Sequence, residues 1–182
     1  MQTAVFGGGC FWCTEAVFRM LKGVSNVEPG YAGGSTGSPQ AAPTYQEVSG
    51  GDTGHAEVIR VTYDPAIISY EDLLTVFFGS HDPTTPNRQG ADVGEQYRSI
   101  ILYGSEGERA TAERVAKEIG ESLKDGTRVV TQIVPLGTFF PAEEYHQKYF
   151  EKNKSAPYCM LVIEPKVEKI RKRFAELVEG HA

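Results

Sequence analysis

TAVFGGGCFWCTEAVFRML, residues 3–21, joins a run of strand-forming residues to a helical pattern through three glycines. Thr3 to Phe6 reads as a short strand, Gly7 to Gly9 as a turn, and Ala16, Val17, Met20 and Leu21 recur at helical spacing. Gly23 stops that helix. Asn26 to Tyr31 returns as a strand, and a Gly/Ser/Pro-rich loop then runs to about Thr53, longer than a connection needs to be. Glu57 to Tyr63 alternates and carries β-branched residues, Tyr70 to Phe78 reads as a helix, and His81 to Gly94 is a second polar loop before a strand at Tyr97 to Tyr103. Glu108 to Leu123 has helical spacing, and Arg128 to Val134 is rich in Val, Ile and Thr. The order β-α-β-β-α-β-α-β predicts an α+β protein: a two-layer sandwich with helices on one face of a mixed, mainly antiparallel sheet and a ferredoxin-like core. The C-terminal third, from Pro141, adds one helix, an irregular stretch over 153–159 and a closing basic helix. With no repeat, heptad run or linker-like composition shift, residues 1–182 read as a single domain whose irregular tail starts at about 153.

Composition narrows the classes of function. A net charge of −6 gives no electrostatic reason for binding nucleic acid. The basic cluster of Lys166, Lys169, Arg171, Lys172 and Arg173 accompanies Val167, Ile170, Phe174 and Leu177 at helical spacing, which reads as the solvated face of a helix. The longest mostly apolar run, Tyr158 to Ile163, is far short of the roughly 20 residues that span a bilayer. The opening residues lack a basic segment followed by an apolar one, so cytoplasm is the expected location. Three cysteines do not make a disulfide framework but suit reactive thiols in a reducing compartment.

Cys10 sits where the glycine turn becomes a helix, facing unpaired backbone N–H groups and the positive end of the helix dipole, an arrangement expected to lower its pKa. The glycines are not a phosphate loop, since neither Gly-Lys-Ser/Thr nor a full G-x-G-x-x-G follows. Cys10 and Cys13 form a C-x-x-C, which leaves open a thioredoxin-like oxidoreductase. Cys159 with His55, His81, His146 and His181 leaves open a zinc site, although no second pair has ligand spacing. One of His55, His81 or His146 could serve Cys10 as the base of a hydrolase. A non-catalytic module that binds methionine or a peptide in an aromatic pocket is the remaining alternative.

The segments GCFWCTEAVF, GYAGG, PTYQEV, TGHAEV, SYEDLL, HDPTTPNRQGADVGEQYRS, FFPAEEYHQKY and PYC occur in this order over nearly the whole chain. In this the sequence resembles the A-type peptide-methionine sulfoxide reductases. The resemblance implies an α+β sandwich, usually monomeric, that reduces the S epimer of methionine sulfoxide in proteins and as the free amino acid, with thioredoxin as reductant and no metal or organic cofactor. It implies that Cys10 is the nucleophile, that Phe11 and Trp12 form the apolar pocket for the substrate's methyl group, and that Glu57 is the catalytic acid. Tyr45 and Tyr97 match the phenols that bind the sulfoxide oxygen, and Asp92 an acidic residue of the site's hydrogen-bond network. Cys159, in PYC, matches the usual recycling thiol. Cys13 stands where many members have glycine; about one helical turn from Cys10, it is a second candidate for the resolving thiol.

Overall fold

The computed structural model describes residues 1–34, 42–124 and 126–179; residues 35–41 of the expected loop and His181, a candidate metal ligand, lie outside the described residues. The elements are β1 (Gln2–Gly8), α1 (Phe11–Phe18), β2 (Val24–Ala32), α2 (Tyr45–Gly50), β3 (Ala56–Tyr63), α3 (Tyr70–Ser80), a small hairpin of β4 (Arg88–Gln89) and β5 (Asp92–Val93), and β6 (Ser99–Tyr103). They continue with α4 (Glu106–Ser122), β7 (Gln132–Pro135), β8 (Phe140–Pro141), α5 (Tyr149–Lys152) and α6 (Glu164–Arg173). Short 3-10 turns occupy Glu95–Tyr97 and Glu144–His146, and a π-helical turn occupies Cys159–Ile163.

The main sheet has the order β7-β6-β1-β3-β2-β8 and is antiparallel except where β6 pairs with β7. Its inner strands, β6-β1-β3-β2, with α1 and α3 as crossovers, are the expected ferredoxin-like core of an α+β fold. Alternation divides each strand between two faces. Ala4 and Phe6 of β1, Val27 and Tyr31 of β2, and Ile59, Val61 and Tyr63 of β3 join the core that α1, α3 and α6 cover. Val5, Ala56, Val58, Ile100 and Leu102 form a smaller cluster on the other face, covered by Val134, Leu136 and Phe139. Each fully buried Leu, Ile or Phe of these layers contributes about 1.5–3 kcal/mol. Two residues before Ile59, the same strand periodicity turns Glu57 toward α1, so a carboxyl lies in line with an apolar row. Among the described residues no helix is long and apolar enough to cross a membrane.

Several elements differ from the sequence reading. The long loop contains α2, begun by a capping box in which Thr44 Oγ1 accepts the Glu47 N–H and Glu47 accepts the Thr44 N–H. The strand expected from Arg128 starts only at Gln132, where pairing with β6 begins; ahead of it the Val130 N–H bonds to the Pro83 carbonyl. Tyr97 belongs to a 3-10 turn rather than to the strand. The largest correction concerns Cys159. It was expected in the irregular stretch of the tail, yet it begins a π-helical turn and is fully buried. The reason is packing: Cys159, Ile163, Val167 and Ile170 make one apolar stripe seated in the main core.

The close fit of β1 between its neighbours depends on Gly7. A Cβ there would lie 2.7 Å from Ile100 Cγ2 and 2.8 Å from the Glu57 carbonyl oxygen. Gly7→Ala is therefore expected to lower the unfolding free energy by about 1–3 kcal/mol, the usual cost of overpacking, as read from urea denaturation. A change below about 0.5 kcal/mol, the scale of an ordinary surface substitution, would contradict this packing.

Candidate active site

Where β1 ends, Gly9 adopts φ +94 and turns the chain, and Cys10 (φ −56, ψ 124) caps α1. The Cys10 carbonyl accepts the N–H groups of Cys13 and Thr14 at 3.1 and 3.3 Å, while its side chain makes no capping bond. The sulfur borders a cavity of about 170 Å³ lined by Cys10, Phe11, Trp12, Tyr45, Glu57, Asp92, Tyr97 and Tyr158. The structure thus brings together every cavity residue named from the sequence. They come from five pieces of chain: the start of α1 (Cys10, Phe11 and Trp12), the start of α2, β3, the β4–β5 hairpin, and the 3-10 turn before β6. Cys13 lies one turn into α1, with its sulfur 3.8 Å from the Tyr158 hydroxyl. Cys159 is buried next to Tyr158 in sequence but does not line the cavity.

Glu57 is 2 % exposed, and its Oε2 accepts the Phe11 N–H at 3.0 Å. Burial pushes its carboxyl up to about 8, the Phe11 bond opposing and the charges of Asp92 and Cys13 adding to the rise. The carboxyl is protonated at neutral pH and able to donate. Burial, then the neighbouring Glu57 charge, also raises the phenols of Tyr45 and Tyr97. Burial raises Tyr158 as well, followed by the two thiols, and its hydroxyl donates to Asp92 Oδ2 at 3.1 Å. These phenols remain hydrogen-bond donors throughout the neutral range.

The thiols depart from the sequence expectation. Cys10 is raised well above the ordinary thiol value, first by its hydrogen bond to Cys13 and then by burial and Glu57. Cys13 is lowered to about 7 by the same hydrogen bond, against its own burial. The helix end therefore acts on a coupled pair of thiols, and the first ionisation belongs to the pair.

The three histidines considered as a base are engaged elsewhere. His81 bonds to the Phe77 carbonyl and to Ser99 Oγ, both at 2.7 Å, His55 Nδ1 accepts the Gly34 N–H at 3.1 Å, and His146 Nδ1 accepts the Trp12 indole N–H at 3.0 Å. Among the described residues, no group of three or more His, Cys, Asp or Glu side chains is arranged to hold a metal ion. Sequence reasoning assigned no role to Tyr158 or to Glu143, and weighed His146 only as a base or ligand. The T-x-x-E at Thr44 was a usable signal for the helix that carries Tyr45; for Tyr158 there was none beyond its place beside Cys159.

A thiol pair beside a carboxyl held neutral by burial, at a small cavity walled by aromatic rings, is the working part of a thiol-based oxidoreductase. The sequence pattern of the peptide methionine sulfoxide reductase family matches residues 2–178. Proteins named peptide methionine sulfoxide reductase MsrA from Sulfolobus acidocaldarius and Saccharolobus solfataricus are 54% and 51% identical to this chain. The alignments cover 97% of both chains in the first case, and 100% of this chain and 99% of the relative in the second. Among solved structures, reduced Mxr1 from Saccharomyces cerevisiae is 37% identical with a TM-score of 0.79, over 87% of this chain and 88% of its own. Methionine sulfoxide reductase A of Corynebacterium diphtheriae is 34% identical with a TM-score of 0.74, over 86% and 78%. The chain belongs to the peptide methionine sulfoxide reductase family, and it is an oxidoreductase.

The charge distribution over the thiols is open to direct titration. Thiolate absorbance near 240 nm in the reduced protein is expected to rise with a midpoint near pH 7 and to lose that step in Cys13→Ser. A step at the same pH in Cys13→Ser would assign the first thiolate to Cys10.

Proposed function

We propose that this protein reduces the S epimer of methionine sulfoxide, in oxidised proteins and as the free amino acid, and so repairs oxidative damage. The observation that carries this reading is the buried, protonated Glu57 carboxyl sharing a small aromatic cavity with Cys10. Cleaving an S–O bond requires protons on the departing oxygen, and a carboxyl that is neutral at pH 7 is their source. Phe11 and Trp12 hold the methyl group and the methionyl chain by apolar contact. Tyr45 and Tyr97 donate to the oxygen as its charge grows, and Asp92 orders the hydrogen bonds around it.

In the first stage Cys10 passes its proton to the Cys13 thiolate and attacks the sulfoxide sulfur while Glu57 protonates the oxygen. The oxygen takes a second proton, from the Cys13 thiol, and leaves as water. A water then attacks the Cys10 sulfur, the bond between Cys10 and the substrate sulfur breaks, and methionine departs, leaving Cys10 as a sulfenic acid and returning a proton to the site. A second thiol then condenses with the sulfenic acid, expelling water and forming a disulfide. Thioredoxin reopens it by thiol exchange, its own dithiol becoming oxidised. Support for that reductant comes from the solved complex of Mxr1 from Saccharomyces cerevisiae with Trx2, 25% identical to this chain with a TM-score of 0.55. Two thiols remain candidates for the resolving step. Cys13 lies in the first turn of the helix that Cys10 caps, whereas Cys159, the family's usual choice, reaches Cys10 only after the buried turn at Cys159–Ile163 opens. The protein acts as a single-domain monomer and uses no metal or organic cofactor. Free thiols at the site suit the reducing cytoplasm.

Two ionisations with opposite demands give the reaction a pH signature. The thiolate forms as pH rises through about 7, and the acid is lost as pH rises through about 8. Methionine formation under single-turnover conditions is expected to follow a bell with its maximum between these values. Glu57→Gln should lower the rate about 10²–10⁴-fold, the range for loss of a general acid, and abolish the alkaline fall. A folded Gln variant that retains the parent's rate and profile would contradict the assignment of Glu57, and a reduced parent that forms no methionine would contradict the function.

A further inference from the structure

His146 is 1 % exposed, and its ring is the hub of the aromatic wall. Its centroid lies 5.0 Å from Phe11, 5.6 Å from Trp12, 4.6 Å from Tyr45 and 4.1 Å from Tyr145. The Trp12 indole N–H donates to His146 Nδ1 at 3.0 Å, which requires the neutral ring with its proton on Nε2. That Nε2 has no hydrogen-bond partner among the described residues and is buried, 4.0 Å from Glu143 Oε2. The turn that carries His146 is itself tied down. The His146 N–H bonds to the Glu143 carbonyl at 2.9 Å, and the Glu143 carboxylate accepts the Tyr45 N–H at 2.9 Å and the Tyr31 hydroxyl at 2.7 Å. On another side Tyr149 stacks on the indole, its ring centroid 3.6 Å away and the planes 6° apart.

We propose that His146 is a positioning residue: its Nδ1 fixes the Trp12 indole, and through it the apolar wall that receives the methionyl side chain of the substrate. This rests on the reading of Phe11 and Trp12 as the substrate pocket. Without the acceptor, the indole must either bury an unpaired N–H or swing toward water, and both outcomes spoil the pocket rather than the thiol chemistry. The effect falls on KM and leaves the chemical step in place.

The test compares His146→Asn, whose Oδ1 occupies the position of Nδ1, with His146→Gln, whose carboxamide reaches only the position of Nε2. Trp12 is the chain's single tryptophan, so its emission reports on the indole independently of turnover. His146→Gln is expected to raise KM for methionine S-sulfoxide about tenfold, the scale of a buried donor left without its acceptor. Its single-turnover rate at saturation should stay within about threefold of the parent. It should also shift the Trp12 emission, and His146→Asn should recover most of both changes. If the Gln variant does not fold, His146→Phe, which keeps the ring and removes the acceptor, takes its place. Asn and Gln variants equally impaired, or a Gln variant with the parent's KM and emission, would overturn the proposal. A parent without reductase activity would defeat the functional reading alone, because the emission comparison still decides whether His146 holds the indole.

Discussion

The hydrogen bond from the Phe11 N–H to Glu57 Oε2, 3.0 Å long, joins the first turn of α1 to the central strand β3, and the rest of the site is built around it. It places a carboxyl at a helix end, where backbone donors offset part of the cost of removing that group from water. The offset is incomplete, and burial prevails: the carboxyl is held at about 8 and stays protonated at pH 7. The same bond sets the distance between strand and helix, and therefore the width of the cavity between Glu57 and Cys10. Gly7 permits this closeness, since any Cβ there would press on the Glu57 backbone.

Around that bond the fold gathers parts that are far apart in the chain. Tyr31 and Glu57 are register partners on β2 and β3, and Tyr31 reaches across to Glu143, which also holds the start of α2 and hence Tyr45. Asp92 arrives on a hairpin and is bonded by Tyr158, the residue before Cys159. A consequence follows for the thiols. Tyr158 faces the cavity while its neighbour Cys159 faces the core, so the two cannot both be presented to Cys10 without movement of the turn that carries them. Cys13 lies in the first turn of the helix that Cys10 caps, within the same short stretch of chain.

Much of this was legible in the sequence. The strand formers at Thr3–Phe6, the alternation at Glu57–Tyr63 and the helical pattern at Tyr70–Phe78 each signal their element locally, because residue type and spacing record which face is buried. What escaped depends on partners remote in sequence. β7 begins at Gln132 because β6 is there to pair with, and Arg128 carries no mark of that limit. Cys159 reads as part of an irregular stretch because the residues before it show no periodic pattern, yet the apolar stripe that starts at Cys159 seats it in the core. The charge on the thiols escaped for a related reason. A helix end predicts a lowered Cys10, but the thiol is raised through its pairing with Cys13, its burial and the Glu57 carboxyl, and the last two depend on tertiary packing. Most cavity residues were named through family resemblance, whereas His146 and Glu143 gain their roles only from contacts that no local pattern encodes.

The central claim is that Cys10 and Glu57 together remove oxygen from one epimer of a sulfoxide. Its most direct test is incubation of the fully reduced protein with separated S and R methionine sulfoxides, without added reductant, followed by methionine quantification and disulfide mapping. Methionine from the S epimer alone, accompanied by a disulfide that contains Cys10, is the predicted result, and the partner in that disulfide identifies the resolving thiol as Cys13 or Cys159. Folded, reduced protein that forms no methionine from either epimer, or forms it while Cys10 remains a free thiol, would contradict the account.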